Sequence, residues 1–124
     1  MYEMLETFVV ILFLLQIKHW YIDFVDQSMD EVASKGKYGE WLGIRHSLKQ
    51  ALGTYICIAL VIGEEYWFFV AVLASIDFVI HYHTDWCKMN YGNRDITTPQ
   101  FWNHLGLDQM IHQFTYILLG YLAA

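Results

Sequence analysis

The chain alternates long apolar segments with short polar connections. Four segments reach the ~20 residues that a membrane-spanning helix needs, provided that their polar positions are counted: roughly 4–27, 43–63, 65–87 and 100–123. Their unbroken apolar stretches are short, such as FVVILFLL at 8–15. The first and third segments are apolar early and polar late, and the other two are the reverse. This pattern predicts an all-α, four-helix up-down transmembrane bundle, formed by one domain of residues 1–124.

The connections between these segments predict where helices stop. The segment SMDEVASKGKYGEW contains two glycines as helix breakers and predicts a short interfacial helix around 30–34. In the loop KMNYGNRDITTP, a threonine followed by Pro99 predicts the start of a helix. Gly63 marks a tight turn between the second and third segments. Short connections of this kind are typical of antiparallel neighbouring helices.

Composition favours a membrane protein over an ordinary soluble domain. Apolar residues make up 56% of the chain, aromatic residues 18% and charged residues only 16%, and the mean hydropathy is +0.30. The alternative is a soluble helical bundle with an unusually aromatic core. There is no polybasic block of the kind that binds nucleic acid, so we expect none as a partner. Membrane lipids are the expected partners, with a host membrane protein or a second copy of the chain as further candidates.

The basic residues are distributed unevenly between the two ends of the predicted bundle. With alternating helices, one end (side A) holds both termini and the turn at 63–65, and the other end (side B) holds the loops 28–42 and 88–99. All seven basic residues belong to side B: Lys18, Lys35, Lys37, Arg45, Lys49, Lys88 and Arg94. Positively charged loops stay in the cytoplasm. We therefore predict an integral protein of the inner or plasma membrane with side B inside and both termini outside.

Histidines and aspartates recur at a spacing of four within these apolar segments. Residues four apart share one face of a helix, and the up-down order brings every such residue to the side B half. The series are His19 and Asp23 in the first segment, His46 in the second, Asp77, His81 and Asp85 in the third, and His104, Asp108 and His112 in the fourth. Ionisable groups inside a membrane bundle are functional candidates.

Imidazoles and carboxylates that converge from several helices can form a cage for a divalent metal. The mixture suits zinc first, with manganese or iron as alternatives, and is too rich in nitrogen for calcium or magnesium alone. The predicted site lies near the cytoplasmic face and holds one or two ions. The predicted ligands are His19, Asp23, His46, His81, Asp85, Asp108 and His112. The competing interpretation is a metal-free network in which Asp23, Asp85 and Asp108 pair with histidines, Arg45 and Lys88.

Four segments resemble a family of small phage and bacterial membrane proteins known as domain of unknown function 3307: KHWYIDFVDQ, YGEWLGIRHSLKQ, HYHTDWCK and LDQMIHQFTYIL. The resemblance covers most of the chain and includes all seven predicted ligands. It implies a helical membrane fold but no established activity. The RHS around His46 and the His-x3-Asp around Asp85 are also similar to membrane-bound hydrolases thought to depend on a metal.

These features lead to a first functional hypothesis, a metal-dependent hydrolase that acts on a phosphodiester or lipid-like substrate at the cytoplasmic face. Asp77 or Asp23 would be the general base, and Arg45 or Lys88 would bind the phosphate. In the second hypothesis a structural metal or polar network stabilises a phage-type membrane factor that binds a host partner. A third, an ion transporter, is disfavoured because side A offers no polar residues to continue a path.

Overall fold

The computed structural model describes all 124 residues, and every regular element in it is helical. The five α-helices are α1 (Tyr2–Trp20), α2 (Met29–Ser34), α3 (Trp41–Ile62), α4 (Trp67–Tyr91) and α5 (Pro99–Ala123). A π-helical turn, Tyr21–Val25, follows α1, and a 3₁₀ turn, Glu64–Tyr66, precedes α4. The all-α prediction is confirmed.

The four long helices form a ring in which each packs against two neighbours. Helix α3 lies between α1 and α4, and α5 closes the ring between α4 and α1. Contacts between early residues of one helix and late residues of the next show that all neighbours are antiparallel. Lys18 of α1, for example, meets Gln50 of α3, and Lys88 of α4 meets Asp108 of α5. The up-down arrangement therefore agrees with the prediction.

Helix ends follow local sequence signals. The Ser28 hydroxyl accepts a hydrogen bond from Glu31 N at 3.1 Å and starts α2, the short helix predicted at 30–34. The Thr98 hydroxyl accepts from Phe101 N and starts α5, with proline in the first turn. Between α3 and α4, Gly63 has φ +103°, a conformation that side chains disfavour and that makes the tight turn possible.

The prediction of four membrane-spanning helices needs correction. Only two helical segments, Tyr2–Val25 and Glu64–Tyr91, are long and apolar enough to cross a membrane, and this criterion rests on length and composition alone. Helices α3 and α5 are 22 and 25 residues long, so length is not the reason. Their first halves hold polar side chains, in segments such as RHSLKQ and NHLGLDQ, and these lower their apolar character.

The interior of the bundle changes character along its axis. On side A, seven apolar side chains are almost completely buried: Ile11, Leu15, Ile58, Val70, Leu73, Tyr116 and Leu119. On side B, most buried residues are polar, and histidines, carboxylates and lysines are prominent among them. The outer surface is apolar instead, with large side chains such as Phe13, Leu60 and Phe68 at least two-thirds exposed. Polar groups inside and apolar groups outside reverse the usual arrangement of a soluble protein.

The sequence predicts a regular first helix up to residue 27, but the regular part of α1 ends at Trp20. Its last turn widens into the π-helical segment Tyr21–Val25, which a hydrogen bond from Asp26 N to Tyr21 O closes at 2.7 Å. Such a turn contains one residue more than an α-helical turn, and π turns are often found at functional sites. Asp23 lies within it.

Candidate metal centre

Four side chains from three elements converge in the side B half. His46 Nε2 of α3 lies 2.8 Å from Asp23 Oδ1 of the π turn and 3.3 Å from His81 Nε2 of α4. Asp85 follows His81 by one turn of α4, and its Oδ2 lies 3.2 Å from His81 Nε2 and 3.8 Å from His46 Nε2. All four residues are at least nine-tenths buried. Two imidazole nitrogens and two carboxylate oxygens therefore face one another away from solvent.

The second group shares part of the first. His112 Nε2 of α5 lies 3.5 Å from the other oxygen of Asp85, Oδ1, and 3.4 Å from Asp108 Oδ1. The His112 ring stacks on His81 with 4.2 Å between ring centroids. Two groups of ligand atoms thus meet the spacing that a metal ion needs, Asp23–His46–His81 and His81–Asp85–His112. The Asp85 carboxylate faces both groups, one oxygen towards each.

The spacing of the first group fits a small ion. Four ligands at the bond lengths typical of tetrahedral zinc are about 3.3–3.5 Å from one another. The distances of His46 Nε2 and His81 Nε2 to each other, to Asp23 Oδ1 and to Asp85 Oδ2 range from 2.8 to 3.8 Å and lie on both sides of that value. Asp23, His46 and His81 form one group with the spacing for an ion, and Asp85 would join it only after a side-chain movement.

Unsatisfied polar atoms provide an independent test of the fit. Buried polar groups in proteins are normally hydrogen-bonded. Five buried side-chain atoms in this chain have no hydrogen bond, and all belong to predicted ligands: His46 Nδ1, His81 Nδ1, Asp85 Oδ2, Asp108 Oδ1 and His112 Nε2. Three of them, on Asp85, Asp108 and His112, are directed at the cluster itself. Buried His/Asp groups able to hold a metal ion are therefore present.

His19 lies beside the cluster and belongs to neither candidate group of metal ligands. Its Nδ1 lies 3.1 Å from Asp23 Oδ2 and 3.1 Å from the Tyr116 hydroxyl, and its Nε2 lies 2.6 Å from Gln109 Oε1. Both ring nitrogens are therefore engaged. Gln50, one turn after His46 on α3, donates from Nε2 to Asp23 Oδ1 at 2.7 Å. These contacts fix the orientation of the Asp23 carboxylate, as outer partners do in metal sites.

Glu31 of α2 holds the far side of His46. Its Oε2 lies 3.6 Å from His46 Nδ1, so the imidazole stands between a carboxylate and the cluster, a common arrangement for a metal-binding histidine. Burial raises the pKa of Glu31, but hydrogen bonds from Lys49 and Arg45 outweigh that effect and hold it below its ordinary value. Arg45 Nη2 donates to Glu31 Oε1 at 2.8 Å, so Arg45 is directed at Glu31 and not at the cluster.

Two lysines neutralise carboxylates of the cluster. Lys35, from the connection after α2, lies 3.0 Å from Asp85 Oδ2 and also donates to Gln27 Oε1. Lys88 lies 3.0 Å from Asp108 Oδ2 and 3.9 Å from Asp85 Oδ1. Lys88 was expected near a phosphate-binding position, whereas Lys35 was not foreseen. Both lysines approach from the loop end of side B.

Asp77 lies in a separate layer, one turn further towards side A. Lys18 Nζ is 3.3 Å from Asp77 Oδ2, and the Thr54 hydroxyl donates to the same oxygen at 2.5 Å. Lys18 also donates to Gln50 Oε1 at 2.7 Å, which connects this layer to Asp23. Gly53 permits the arrangement, because a Cβ there would lie 2.6 Å from Lys18 Cγ.

The seven predicted ligands therefore fall into three positions. Five of them form the two candidate groups: Asp23, His46, His81, Asp85 and His112. Asp108 adjoins the second group through His112 and Lys88, and His19 lies outside the groups as a partner of Asp23. Of the predicted catalytic residues, Asp23 and Lys88 contact the cluster, whereas Asp77 is paired with Lys18 and Arg45 with Glu31.

Sequence reasoning missed Glu31, Lys35 and Gln50, which contact the cluster, and Gln109 and Tyr116, which engage His19. Two of them continue a spacing that was already visible, since Gln50 follows His46 by four and Tyr116 follows His112 by four. Glu31 follows Ser28 in the Ser-x-x-Glu pattern that marks a helix start. No sequence signal directs Lys35 towards Asp85, because that contact depends on the path of a loop.

Comparisons with protein-family models, with curated proteins and with solved structures gave no match. The geometry of the cluster is therefore the basis for assigning a function.

Proposed function

We propose that this protein is an integral membrane metalloprotein, and specifically a hydrolase of a phosphodiester or lipid-like substrate at the cytoplasmic face. One observation carries the proposal: the buried imidazole nitrogens of His46 and His81 each lie 2.8–3.8 Å from carboxylate oxygens of Asp23 and Asp85. Next to them, the buried atoms His112 Nε2 and Asp108 Oδ1 make no hydrogen bond, which is costly. A divalent ion between them would satisfy both.

The membrane location is supported by the distribution of apolar surface. Two helical segments have the length and composition of membrane spans, and all four long helices expose large apolar side chains. Lipid would cover that surface. The basic residues are concentrated in the loops and helix ends of side B, which supports a cytoplasmic position for the candidate metal centre and an external position for both termini.

Zinc is the ion we propose first, with manganese or iron as alternatives, because the set mixes imidazole and carboxylate ligands. One ion would use Asp23, His46, His81 and Asp85. A second would use His112, Asp108 and the other oxygen of Asp85, which makes Asp85 a bridging ligand. Bridged pairs of ions are common in enzymes that hydrolyse phosphate esters.

The proposed reaction requires only water as co-substrate. The water oxygen bonds to phosphorus, the ester P–O bond breaks, and a proton of the water ends on the leaving alcohol. A divalent ion supplies Lewis acidity and activates water. With one ion bound, Asp108 is free of metal and is suited to accept and return the proton, because its Oδ1 has no hydrogen bond. Asp77 is less suited, since Lys18 and Thr54 already occupy its Oδ2.

The test combines metal analysis with an activity assay on protein purified in detergent. We expect one or two metal ions per chain, and metal-dependent release of alcohol from a phosphodiester substrate. His81→Ala and Asp85→Ala should lose both properties. For metal content, His83→Ala is the matched control, because His83 is two residues from His81 but exposed, where it contacts Tyr38.

Each result has a distinct meaning. A metal content near zero in the wild-type protein would contradict the metal centre. Hydrolysis at the wild-type rate in His81→Ala or Asp85→Ala would contradict the assignment of the active site. Equal loss of metal in His83→Ala would show that the variants act through general damage to the fold.

A structural role is the second candidate, and the internal lysines favour it. Asp77, Asp85 and Asp108 each have a lysine within 3.3 Å, so much of the buried negative charge is balanced within the chain. In this case the cluster stabilises the bundle of a membrane factor that binds a host protein. A chelator would then lower the free energy of unfolding, and no phosphodiester would be turned over.

A further inference from the structure

A basic pocket leads from the loop end of side B to the cluster. It has a volume of about 500 Å³ and lies between α2, the end of α4 and the start of α5. Its charged lining residues are Lys35, Lys88 and Arg94, and no carboxylate lines it. Lys35 and Lys88 form the boundary with the cluster, since each also contacts a cluster carboxylate. An anion in this pocket would meet cations and would lie next to Asp85 and Asp108.

Arg94 is the lining cation that the cluster does not use. Its Nη2 donates to the carbonyl of Met89 at 2.9 Å, and the side chain is otherwise exposed. It faces no carboxylate within ion-pair distance, unlike both lysines. The remaining N–H groups of the guanidinium are therefore available to a phosphate, whose geometry they match.

An apolar groove joins this pocket from the outer side of the bundle. It has a volume of about 580 Å³ and runs between α4 and α5 past Val79, Ile80, Leu107 and Ile111. Val79 and Leu107 are about half exposed, so the groove opens to the surface that lipid would cover. Lys88 and His104 line both cavities. The groove thus runs from the apolar surface to the basic pocket.

The charge of the cluster selects the type of anion. Asp23, Asp85 and Asp108 carry three negative charges, and ligating histidines are neutral. One divalent ion together with Lys35 and Lys88 adds four positive charges, which leaves one net positive charge, and Arg94 in the lining adds a second. A phosphodiester, with a single negative charge, can therefore enter the pocket without making its net charge negative.

We infer that the two cavities bind one anionic phospholipid, a phosphodiester whose acyl chain lies in the α4–α5 groove and whose phosphate lies in the basic pocket between Arg94 and the two lysines. This assignment rests on the proposed function for its charge balance, because the divalent ion is part of the count. It also names the substrate class: a membrane phosphodiester with an anionic head group, taken laterally from the cytoplasmic leaflet.

The experiment measures lipid binding rather than turnover. Full-length protein, loaded with zinc, is placed in nanodiscs of phosphatidylcholine that contain phosphatidylglycerol, and native mass spectrometry counts retained phosphatidylglycerol or its cleavage product. We expect preferential retention of phosphatidylglycerol. Arg94→Gln should weaken it about tenfold, the size of one lost charged hydrogen bond. Val79→Trp should weaken it similarly by filling the groove. Neither variant should change the metal content.

Two matched controls test the geometry. Lys37→Gln removes an exposed cation of the other side B connection, between α2 and α3, that does not line the pocket. Leu60→Trp enlarges an exposed apolar residue on another helix, outside the groove. Both should retain phosphatidylglycerol like the wild type. Equal losses in Lys37→Gln and Arg94→Gln would overturn the proposed site, because they would show attraction by overall charge.

A soluble analogue distinguishes a lipid from a free phosphodiester. Glycerophosphoglycerol has the same phosphate but no acyl chains, and it should bind at least about tenfold more weakly than the lipid because it leaves the groove empty. Equal affinity would contradict occupation of the groove by a chain. If inorganic phosphate competed as strongly as the lipid, that result would also contradict occupation of the groove by an acyl chain.

Metal analysis of the same samples separates the two proposals. Wild-type protein that binds no metal contradicts the proposed function, whatever lipid it retains. Protein that holds metal but retains phosphatidylcholine and phosphatidylglycerol equally contradicts the lipid site alone.

Discussion

The two halves of the bundle use the same four helices but have opposite interiors. The side A half is filled by apolar side chains such as Leu73 and Leu119. The side B half is filled mainly by polar side chains, among them histidines, aspartates and two lysines that are less than one-tenth exposed. Both halves have an apolar outer surface. The difference shows that burial here is not equivalent to hydrophobicity, since the helices bury whatever faces the axis.

The two interiors are stabilised by different physical effects. If lipid surrounds the bundle, apolar side chains gain little from leaving one apolar medium for another, and side A depends on close packing. Charged groups on side B would be expensive in the same medium unless each has a partner. The stability of side B should therefore fall sharply when one partner of a charged group is lost. The stability of side A should change gradually with the volume of its side chains.

The largest effect on stability should come from breaking the ion pair where the two halves meet. Lys18→Met leaves Asp77 buried, at 1% exposure, with Thr54 as its remaining hydrogen-bond donor. We expect the free energy of unfolding to fall by about 3–5 kcal/mol, the usual cost of an uncompensated buried charge. Chemical unfolding in detergent micelles would measure it.

The double variant Lys18→Met/Asp77→Asn provides the control for this prediction. It removes both charges, so most of the lost stability should return. If the double variant were as unstable as Lys18→Met, the loss would come from packing of the Lys18 stem against Gly53 and not from charge.

A smaller effect is expected from a cavity in the side A half. Leu73 is 1% exposed, and Leu73→Ala should lower the free energy of unfolding by about 2 kcal/mol, the lower end of the range for such changes. The lower end applies because lipid reduces the hydrophobic part of the cost. Metal content should stay at the wild-type level. Val72→Ala, one residue earlier and 44% exposed, should cost less than half as much. A loss of metal in Leu73→Ala would mean that the two halves are coupled.

The smallest effect concerns Glu31, at the rim of the side B half. Its pKa in the folded protein is below the ordinary value, so the ionised form stabilises the fold. This contribution is complete above the pKa of an unfolded glutamate, about 4.3, and is lost as the pH falls through the lower folded pKa. We expect a loss on the order of 1 kcal/mol, because Arg45 and Lys49 reach solvent.

Thermal unfolding of the wild type and of Glu31→Gln, measured from neutral to acidic pH, would test this prediction. The difference between the two proteins should be greatest at neutral pH and should shrink in acid. A difference that grows as the pH falls would show that the ionised form of Glu31 does not stabilise the fold.

The sequence predicted the candidate site better than it predicted the membrane spans. The spacing of four in His81 and Asp85, together with alternating helix direction, was sufficient to place side chains from four segments in one half of the bundle. Predicting the spans required a judgement on how many polar residues a helix can hold, and α3 and α5 exceed that limit.

The remaining features could not be read from periodicity. Lys35 reaches Asp85 through the path of the connection between α2 and α3. His19 has the same spacing to Asp23 that His81 has to Asp85, yet Tyr116 and Gln109 engage its two nitrogens. Whether a histidine is a ligand or a neighbour of one thus depends on the residues opposite it, which come from another helix.

Because of the π turn after α1, the position of Asp23 depends on the number of residues in that turn as well as on the contacts of its carboxylate. One residue is surplus to an α-helical turn in Tyr21–Val25. Deletion of a single codon there would convert the segment to regular helix and rotate the residues that follow by about 100° relative to those before it. Such a change could detach α2, and Glu31 with it, from the bundle while leaving every histidine in place. Natural variants that differ in length at this turn would therefore be the first in which to look for loss of the centre.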